Sequence, residues 1–248
     1  MEESIGLKIM SGVYWDRGRR CVNQDSLTLQ QALTRRGRMV LAAVSDGIGG
    51  LSEGENASGF ITEKLAELFY GQLAGLACRK KGKRFLKKSV LRCFYEMNEE
   101  LRRYGRGKEI SLGATVSLLF LWGKRYMIFH LGDSRIYLYN RKGVSLLTGD
   151  HGGAGGITKC MGSFPFQYPD IHFGRIYGRS GFLLCTDGFY RTLDRESLKA
   201  LLPKDISGEE QLERRLRTLG AAAEKRGEQD NLSAVYCIAY GEGIWQKF

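Results

Sequence analysis

Three aspartates, Asp46, Asp133 and Asp187, each follow an apolar run and sit next to a small residue, in MVLAAVSDGIGG, YMIFHLGDSR and FLLCTDG. A fourth, Asp230 in GEQDNLSAVYCIAY, leads into such a run instead. A strand that ends in a bare aspartate lifts a hard oxygen ligand to the rim of a rigid sheet, and a neighbouring glycine lets backbone or substrate come close. Asp46, Asp187 and Asp230 are far apart in sequence, yet separate loops can converge over one rim of a sheet sandwich. Like charges brought together repel, so such a cluster calls for a cation. Oxygen ligands with no histidine or cysteine at matching spacing point to Mg²⁺ or Mn²⁺ rather than Zn²⁺. Two such ions sharing one water lower its pKa and supply a nucleophile for in-line attack on a phosphate. Arg20, in GRRCVNQDS, offers a planar fork suited to two phosphate oxygens. Taken singly, an Asp-Gly pair is also ordinary turn chemistry. The repetition beside strongly apolar segments is what weakens that plainer reading.

The elements that must position these residues are legible as periodicities. Residues 6–15, 25–33 and 38–45 read as strands, the last two separated by the turn-like TRRGR. From Gly54 onward, Ala57, Phe60, Ile61, Leu65, Leu68 and Phe69 recur at the spacing of a buried helical face, and a second helix is expected over about 84–104. The middle returns to strands in ATVSLLFLW, YMIFHL, IYLYN and VSLLT, joined by turns too short for a parallel crossover, which predicts an antiparallel meander. Further strands are expected at 171–177, 181–186 and 232–240, and helices near 194–202 and 208–226. Hairpins of strands with helices in pairs argue for packed antiparallel sheets covered by helices.

The 248 residues fit one core, and with only three prolines and no linker-like stretch a single domain over 1–248 is expected. The start, MEESIGLKIMSG, lacks the basic-then-apolar order of a secretory signal, and no apolar run approaches the ~18 residues of a membrane helix. Six scattered cysteines without a CxxC pair suggest reduced thiols in a cytoplasmic protein. The net charge of +11 comes in large part from CRKKGKRFLKKSVLRC, where eight lysines and arginines fall between residues 79 and 92. Such a cluster suits an acidic partner, nucleic acid or an anionic membrane face. A solvated loop leading onto a helix is favoured, because aromatic residues are not interleaved as single-strand binders require.

Eight strings together resemble the metal-dependent serine/threonine phosphatases of the protein phosphatase 2C type, in their bacterial form. They are RCVNQDS, SDGIGGLSEGENAS, LGATVSLLFLW, HLGDSRIYLYN, LLTGDH, ITKCMG, FLLCTDG and EQDNLSAV, in the family's order across residues 18 to 240. The resemblance implies an α+β fold, a four-layer αββα sandwich in which two packed antiparallel β-sheets are flanked by helices. It implies two Mn²⁺ or Mg²⁺ ions, with Asp46 bridging both, Gly47 offering its carbonyl to one, and Asp187 and Asp230 completing the protein ligands of the other. Arg20 would hold the substrate phosphate, and Gln24 and Asp25 would support the water shell of the metals. Phosphorylated Ser/Thr proteins are the implied substrates, opposed by a serine/threonine kinase, and a monomer is expected. The alternative is a pseudophosphatase that binds a phosphoprotein or senses metal without turnover.

Three departures from the family pattern stand out. Four residues after Asp187, where a further aspartate commonly helps the GDSR aspartate hold a third metal, this chain has Arg191. A third metal at Asp133 should therefore be weak or absent, with Arg191 pairing with Asp133 or attracting an anion; Asp133 reads equally well as a turn residue. Only GGAGG separates His151 from Ile157, so the flap that family members carry there is shortened and the cleft should be open on that side. Position 48 is isoleucine where some relatives have a histidine. His151 is the nearest candidate general acid by motif, His130 and His172 are expected in strands, and no general acid is assigned.

Overall fold

The structure, a computed structural model, describes residues 7–34, 37–48, 53–77, 82–153 and 156–241. Its strands are β1 (Leu7–Asp16), β2 (Asp25–Thr34), β3 (Gly37–Asp46), β4 (Val116–Trp122), β5 (Arg125–Leu131), β6 (Arg135–Asn140), β7 (Gly143–Leu146), β8 (Gly152–Gly153), β9 (Gly156–Ile157), β10 (Asp170–Arg175), β11 (Ser180–Cys185) and β12 (Leu232–Gly241). The helices are α1 (Gly54–Leu68), which continues through a wide turn at Phe69–Leu73 into α2 (Ala74–Ala77), then α3 (Gly82–Lys108), α4 (Asp187–Tyr190), α5 (Arg195–Lys199) and α6 (Glu209–Lys225). Two five-stranded sheets run in the orders β1-β12-β11-β6-β7 and β10-β5-β4-β3-β2, every pairing antiparallel.

Strand alternation explains the layering. In β3, Val40, Ala42 and Val44 point at the facing sheet and join Leu119, Ile128, Phe182, Leu184 and Val235 in the central core. Met39, Leu41 and Ala43 point the other way, onto Ile61 and Leu65 of α1 and Phe94 and Met97 of α3. Because both faces are covered, MVLAAV reads as an unbroken apolar run instead of alternating. On the far side, Leu212, Leu216 and Leu219 of α6 cover Met10, Ala234 and Tyr236 of the other sheet. Each fully buried Leu or Phe in these layers contributes roughly 1.5–3 kcal/mol over an exposed one. The four-layer αββα sandwich is the expected fold.

Four local expectations are corrected. The meander does not form: β4 and β5 pair in one sheet, while β6 pairs with β7 and β11 in the other. The short Gly132–Ser134 connection steps between facing sheets, an option that does not need a parallel crossover. Gly132 makes the corner with φ +110°, and a Cβ there would lie 2.5 Å from Thr115. The helix expected over 194–202 stops at Lys199, and Pro203 opens a separate 3₁₀ turn. The second helix is longer than expected, from Gly82 to Lys108. A short helix, α4, begins at Asp187 itself, in a segment read as strand end and loop.

The GGAGG segment bends into the small β8–β9 hairpin, with residues 154 and 155 outside the described ones. Arg79, Lys80 and Lys81 of the basic cluster, Arg35 and Arg36 of the TRRGR turn, and Gly49 and Gly50 of the first glycine string also lie outside them. Among the described residues no helix is long and apolar enough to cross a membrane.

Candidate active site

The strands deliver their carboxylates to one rim. Asp46, the last residue of β3, lies directly opposite Asp25, the first residue of β2. Its backbone N–H donates to Thr115 Oγ1 at 3.0 Å and its carbonyl accepts from Thr115 N at 2.8 Å, fixing the strand end. Gly47 follows, donating to the Gln24 carbonyl at 3.0 Å. A Cβ on Gly47 would stand 2.4 Å from the Gly54 carbonyl oxygen, so the start of α1 packs where a side chain would be. Gly47→Ala is expected to cost about 1–3 kcal/mol in urea unfolding, the usual range for forced overpacking.

Asp25 is 2% exposed. Its Oδ2 accepts from Thr186 Oγ1 at 2.8 Å, while Oδ1 is buried without a hydrogen-bond partner. Burial, only partly offset by hydroxyl hydrogen bonds and reinforced by Asp187 and Asp230, pushes its carboxyl up to about 7. Asp46 is shifted well upward by burial and by the charges of Asp25, Asp187, Asp133 and Asp230. Asp133, on the sheet-to-sheet corner, is raised to about 6 by burial and then by Asp187, and its Oδ1 is also buried without a partner. These mutual shifts place five aspartates in one electrostatic neighbourhood.

Two arginines answer part of that charge. Arg20 Nη2 donates to Asp230 Oδ2 at 2.8 Å. Arg191 Nη1 donates to Asp187 Oδ2 at 2.7 Å, and its Nη2 lies 3.5 Å from Asp230 Oδ2. The remainder of the Arg191 fork is held by Glu228, Nη2 to Oε1 at 2.7 Å and Nε to Oε2 at 3.2 Å. Arg191 therefore pairs with the site's own carboxylates and Glu228, and the expected partnership with Asp133 does not form. Burial raises Asp187, against the opposing effect of Arg191. Burial would also raise Asp230, but Arg20, the Asn231 N–H and Arg191 overcome it and hold Asp230 below the usual carboxylate range.

The donor chemistry fits a hard divalent cation: acid oxygens, two of them buried without partners, and carboxylates that repel one another. The side chains are not closed around a single ion, however, since among the described residues no three acidic, histidine or cysteine side chains converge to ligation distance. The two observations differ because Asp187 and Asp230 are drawn toward guanidinium groups instead of toward a common centre.

Several structural residues had no signal of their own in the sequence. Asn231 accepts from Gln24 N at 2.9 Å through Oδ1 and donates through Nδ2 to the carbonyls of Arg17 and Val22, so the loop that carries Arg20 is tied to the start of β12. Thr186, whose Oγ1 also accepts from Ser233 N at 3.1 Å, ties Asp25 to both β11 and β12. Glu228 was detectable only as an acid two residues before Asp230, facing an arginine where the family has an aspartate. Gln24 reaches Glu55 at 3.2 Å.

Two of the three histidines, His130 and His151, are engaged at both ring nitrogens. His130 Nε2 bonds the Gly149 carbonyl and Nδ1 bonds Ser117 Oγ, with burial and then His151 pushing its pKa down to about 4. His151 Nδ1 accepts from Gly132 N at 3.2 Å, so Nε2 is the donor to Asp170 Oδ2 at 3.0 Å. His172 lies on β10, in the strand expected for it.

A search among curated proteins gives no significant match. Among solved structures, the fold is similar to a bacterial serine phosphatase at 22% identity and TM-score 0.80, covering 96% of this chain and 100% of the other. It is similar to the catalytic domain of the serine threonine protein phosphatase PstP in complex with two manganese ions, at 24% identity and TM-score 0.75, covering 94% and 99%. Serine/threonine phosphatase Stp1 from Staphylococcus aureus matches at 22% identity and TM-score 0.77, covering 98% and 99%. These identities establish likeness of fold. The family model of protein phosphatase 2C matches residues 17–235, a span that contains every aspartate and arginine of the rim, and the chain belongs to that family.

Proposed function

We propose that this chain is a metal-dependent protein phosphatase that hydrolyses phosphoserine and phosphothreonine esters. The observation that carries the reading is geometric: Asp25 and Asp46 lie opposite each other at the ends of β2 and β3, Asp25 is bonded to Thr186 beside Asp187, and Arg191 and Arg20 join Asp187 and Asp230 at the same end of the facing sheet. Asp46, the Gly47 carbonyl, Asp187 and Asp230 would hold two divalent ions, and the manganese ions of PstP make Mn²⁺ the first ion to test. Bound there, the ions offset the charge of the phosphate and lower the pKa of a water for attack on phosphorus.

The chain's own residues supply position and charge. Arg20 is half exposed, so its fork can leave Asp230 for two phosphate oxygens of an incoming ester. Asn231 keeps the Arg20 loop in place while it does so. Asp25 and Gln24 stand beside Asp46 and would orient solvent around the ions, and Asp133 would hold a further ion weakly. No histidine is assigned as general acid, since both ring nitrogens of His130 and of His151 are engaged. The substrates would be phosphorylated proteins of a soluble compartment, supplied by a serine/threonine kinase.

The test is hydrolysis of p-nitrophenyl phosphate and of a phosphothreonine peptide with Mn²⁺. Turnover that disappears in EDTA and returns with Mn²⁺ is expected. One observation favours a second reading, a pseudophosphatase that binds phosphoproteins: Arg191 lies on two of the proposed ligands. Saturable phosphopeptide binding with no turnover at any Mn²⁺ concentration would establish that reading and overturn the first.

A further inference from the structure

At the end of the β10-β5-β4-β3-β2 sheet away from the carboxylates lies a cavity of about 940 Å³. Met39 lines it, at the opposite end of β3 from Asp46. Seven steps along the strand separate the two, roughly 23 Å at about 3.3 Å per residue. The cavity is therefore remote from the catalytic rim. Its wall carries Lys83, Arg84 and Lys88 from α3, Lys124 from the β4–β5 turn, and Arg125 and Arg175 from the sheet, and no aspartate or glutamate.

Three features set this wall apart from an ordinary solvated surface. Arg125 and Arg175 are directly opposite each other in the β5–β10 ladder, an arrangement that destabilises a sheet when nothing offsets it. The first turn of α3 holds Lys83 and Arg84 and no acid, although the positive end of a 27-residue helix favours acids there. Lys83 Nζ sits 4.1 Å from the centre of the Phe173 ring, so the helix start leans over the strand that carries Arg175. Several helical arginines elsewhere are matched by acids one turn away, as in Arg214–Glu210 and Arg217–Glu213. None of the six cations here forms an ion pair with a described carboxylate.

We propose that this cavity is a second, non-catalytic site that binds an anion with at least two adjacent phosphoryl groups, of the pyrophosphate or tripolyphosphate class. Opposed guanidinium forks suit clustered phosphate oxygens. The volume falls in the range of small-molecule pockets, about 300–1,000 Å³. Single-stranded nucleic acid is disfavoured because the bases lack a series of aromatic platforms: Trp122 is stacked on Phe120 at 5.3 Å, which leaves Phe85 as the exposed ring of the wall.

The test is calorimetric titration of the full chain in EDTA with tripolyphosphate and, separately, with ATP. Saturable binding is expected in wild type and in Arg20→Ala, weakened about tenfold or more when Arg125→Gln and Arg175→Gln are combined, since charge-assisted phosphate contacts are lost. Equal affinity for both ligands assigns free polyphosphate, and tighter ATP assigns a nucleotide. The unliganded double variant is expected to melt at a higher temperature than wild type, because the opposed charges are gone. Lys88→Gln, on the helix side, provides the same binding readout without touching the sheet. Binding that survives the arginine and lysine changes but is lost in Arg20→Ala would place the anion at the catalytic rim and overturn the proposal. So would the absence of saturable binding, or an oligonucleotide that binds more tightly than tripolyphosphate with a steep salt dependence.

Discussion

Asp46→Asn is expected to lower kcat/KM by about 10²–10³-fold, the scale of losing one preorganised electrostatic group, while making the metal-free protein harder to unfold. The two effects have one cause. Asp46 is surrounded by Asp25, Asp133, Asp187 and Asp230, and burial together with those charges raises its pKa. An amide of the same shape keeps the strand end and removes one of the repelling charges.

The carboxyl contribution to the pH dependence of stability has a definite sign. Asp25 and Asp133 are raised to about 7 and about 6, whereas an unfolded aspartate titrates near 3.9. Between those limits these two carboxyls hold more protons folded than unfolded, so their contribution to stability falls as pH rises from about 4 to about 7, opposed below about 6.5 by His130, whose pKa burial lowers to about 4. The penalty is absent below the unfolded pKa and complete above the folded values. Urea midpoints in EDTA at pH 5 and pH 8 for wild type and Asp46→Asn isolate this contribution, since His130 acts equally in both, and the variant's advantage should grow with pH. A variant less stable than wild type at pH 8, or an advantage that does not grow from pH 5 to pH 8, would contradict the charge-repulsion account.

Arg191→Met is expected to move stability and metal affinity in opposite directions. Glu228, with a side chain only 3% exposed, loses the fork that holds both its oxygens, although the N–H groups of Gln229 and Asp230 still bond it. A cost of about 1–3 kcal/mol in metal-free stability is expected for leaving a buried charged group short of partners. Removing a positive charge 2.7 Å from Asp187 should at the same time tighten Mn²⁺ binding. Because Arg191 is half exposed and its interaction screened, about 1 kcal/mol is the upper scale, or roughly fivefold in Kd. Calorimetry with Mn²⁺ and thermal melts in EDTA read the two effects separately. Unchanged Mn²⁺ affinity would show that Arg191 is only a structural partner of Glu228.

What was legible in the sequence was what is local to a strand or a helix turn. The apolar run before Asp46 is long because both faces of β3 are buried, and the glycine after it is required by the approach of Gly54. The family strings then carried the layer order. Residues whose meaning depends on a distant partner were less visible: Glu228 acquires a role only because Arg191, 37 positions earlier, folds onto it. Asn231 is informative only once the Arg17–Gln24 loop is seen to hang from it. The meander was misread because turn length excludes parallel neighbours but does not distinguish a hairpin from a step to the opposite sheet. His151 looked like a candidate acid by position, and its bonds to Gly132 and Asp170 make it a brace for the loop beside that step.

In its sheet β12 lies between β1 and β11, and its approach carries Asp230. Of the described strands, the first to be synthesised therefore waits for the last before it gains a neighbour, across a separation of more than two hundred residues. A ribosome-bound chain that has not yet released β12 holds an open sheet edge and an unfinished rim, so the rim is completed only once β12 has emerged. Chaperone dependence should peak in that same interval, when the exposed edge of β11 is free to pair with a stranger.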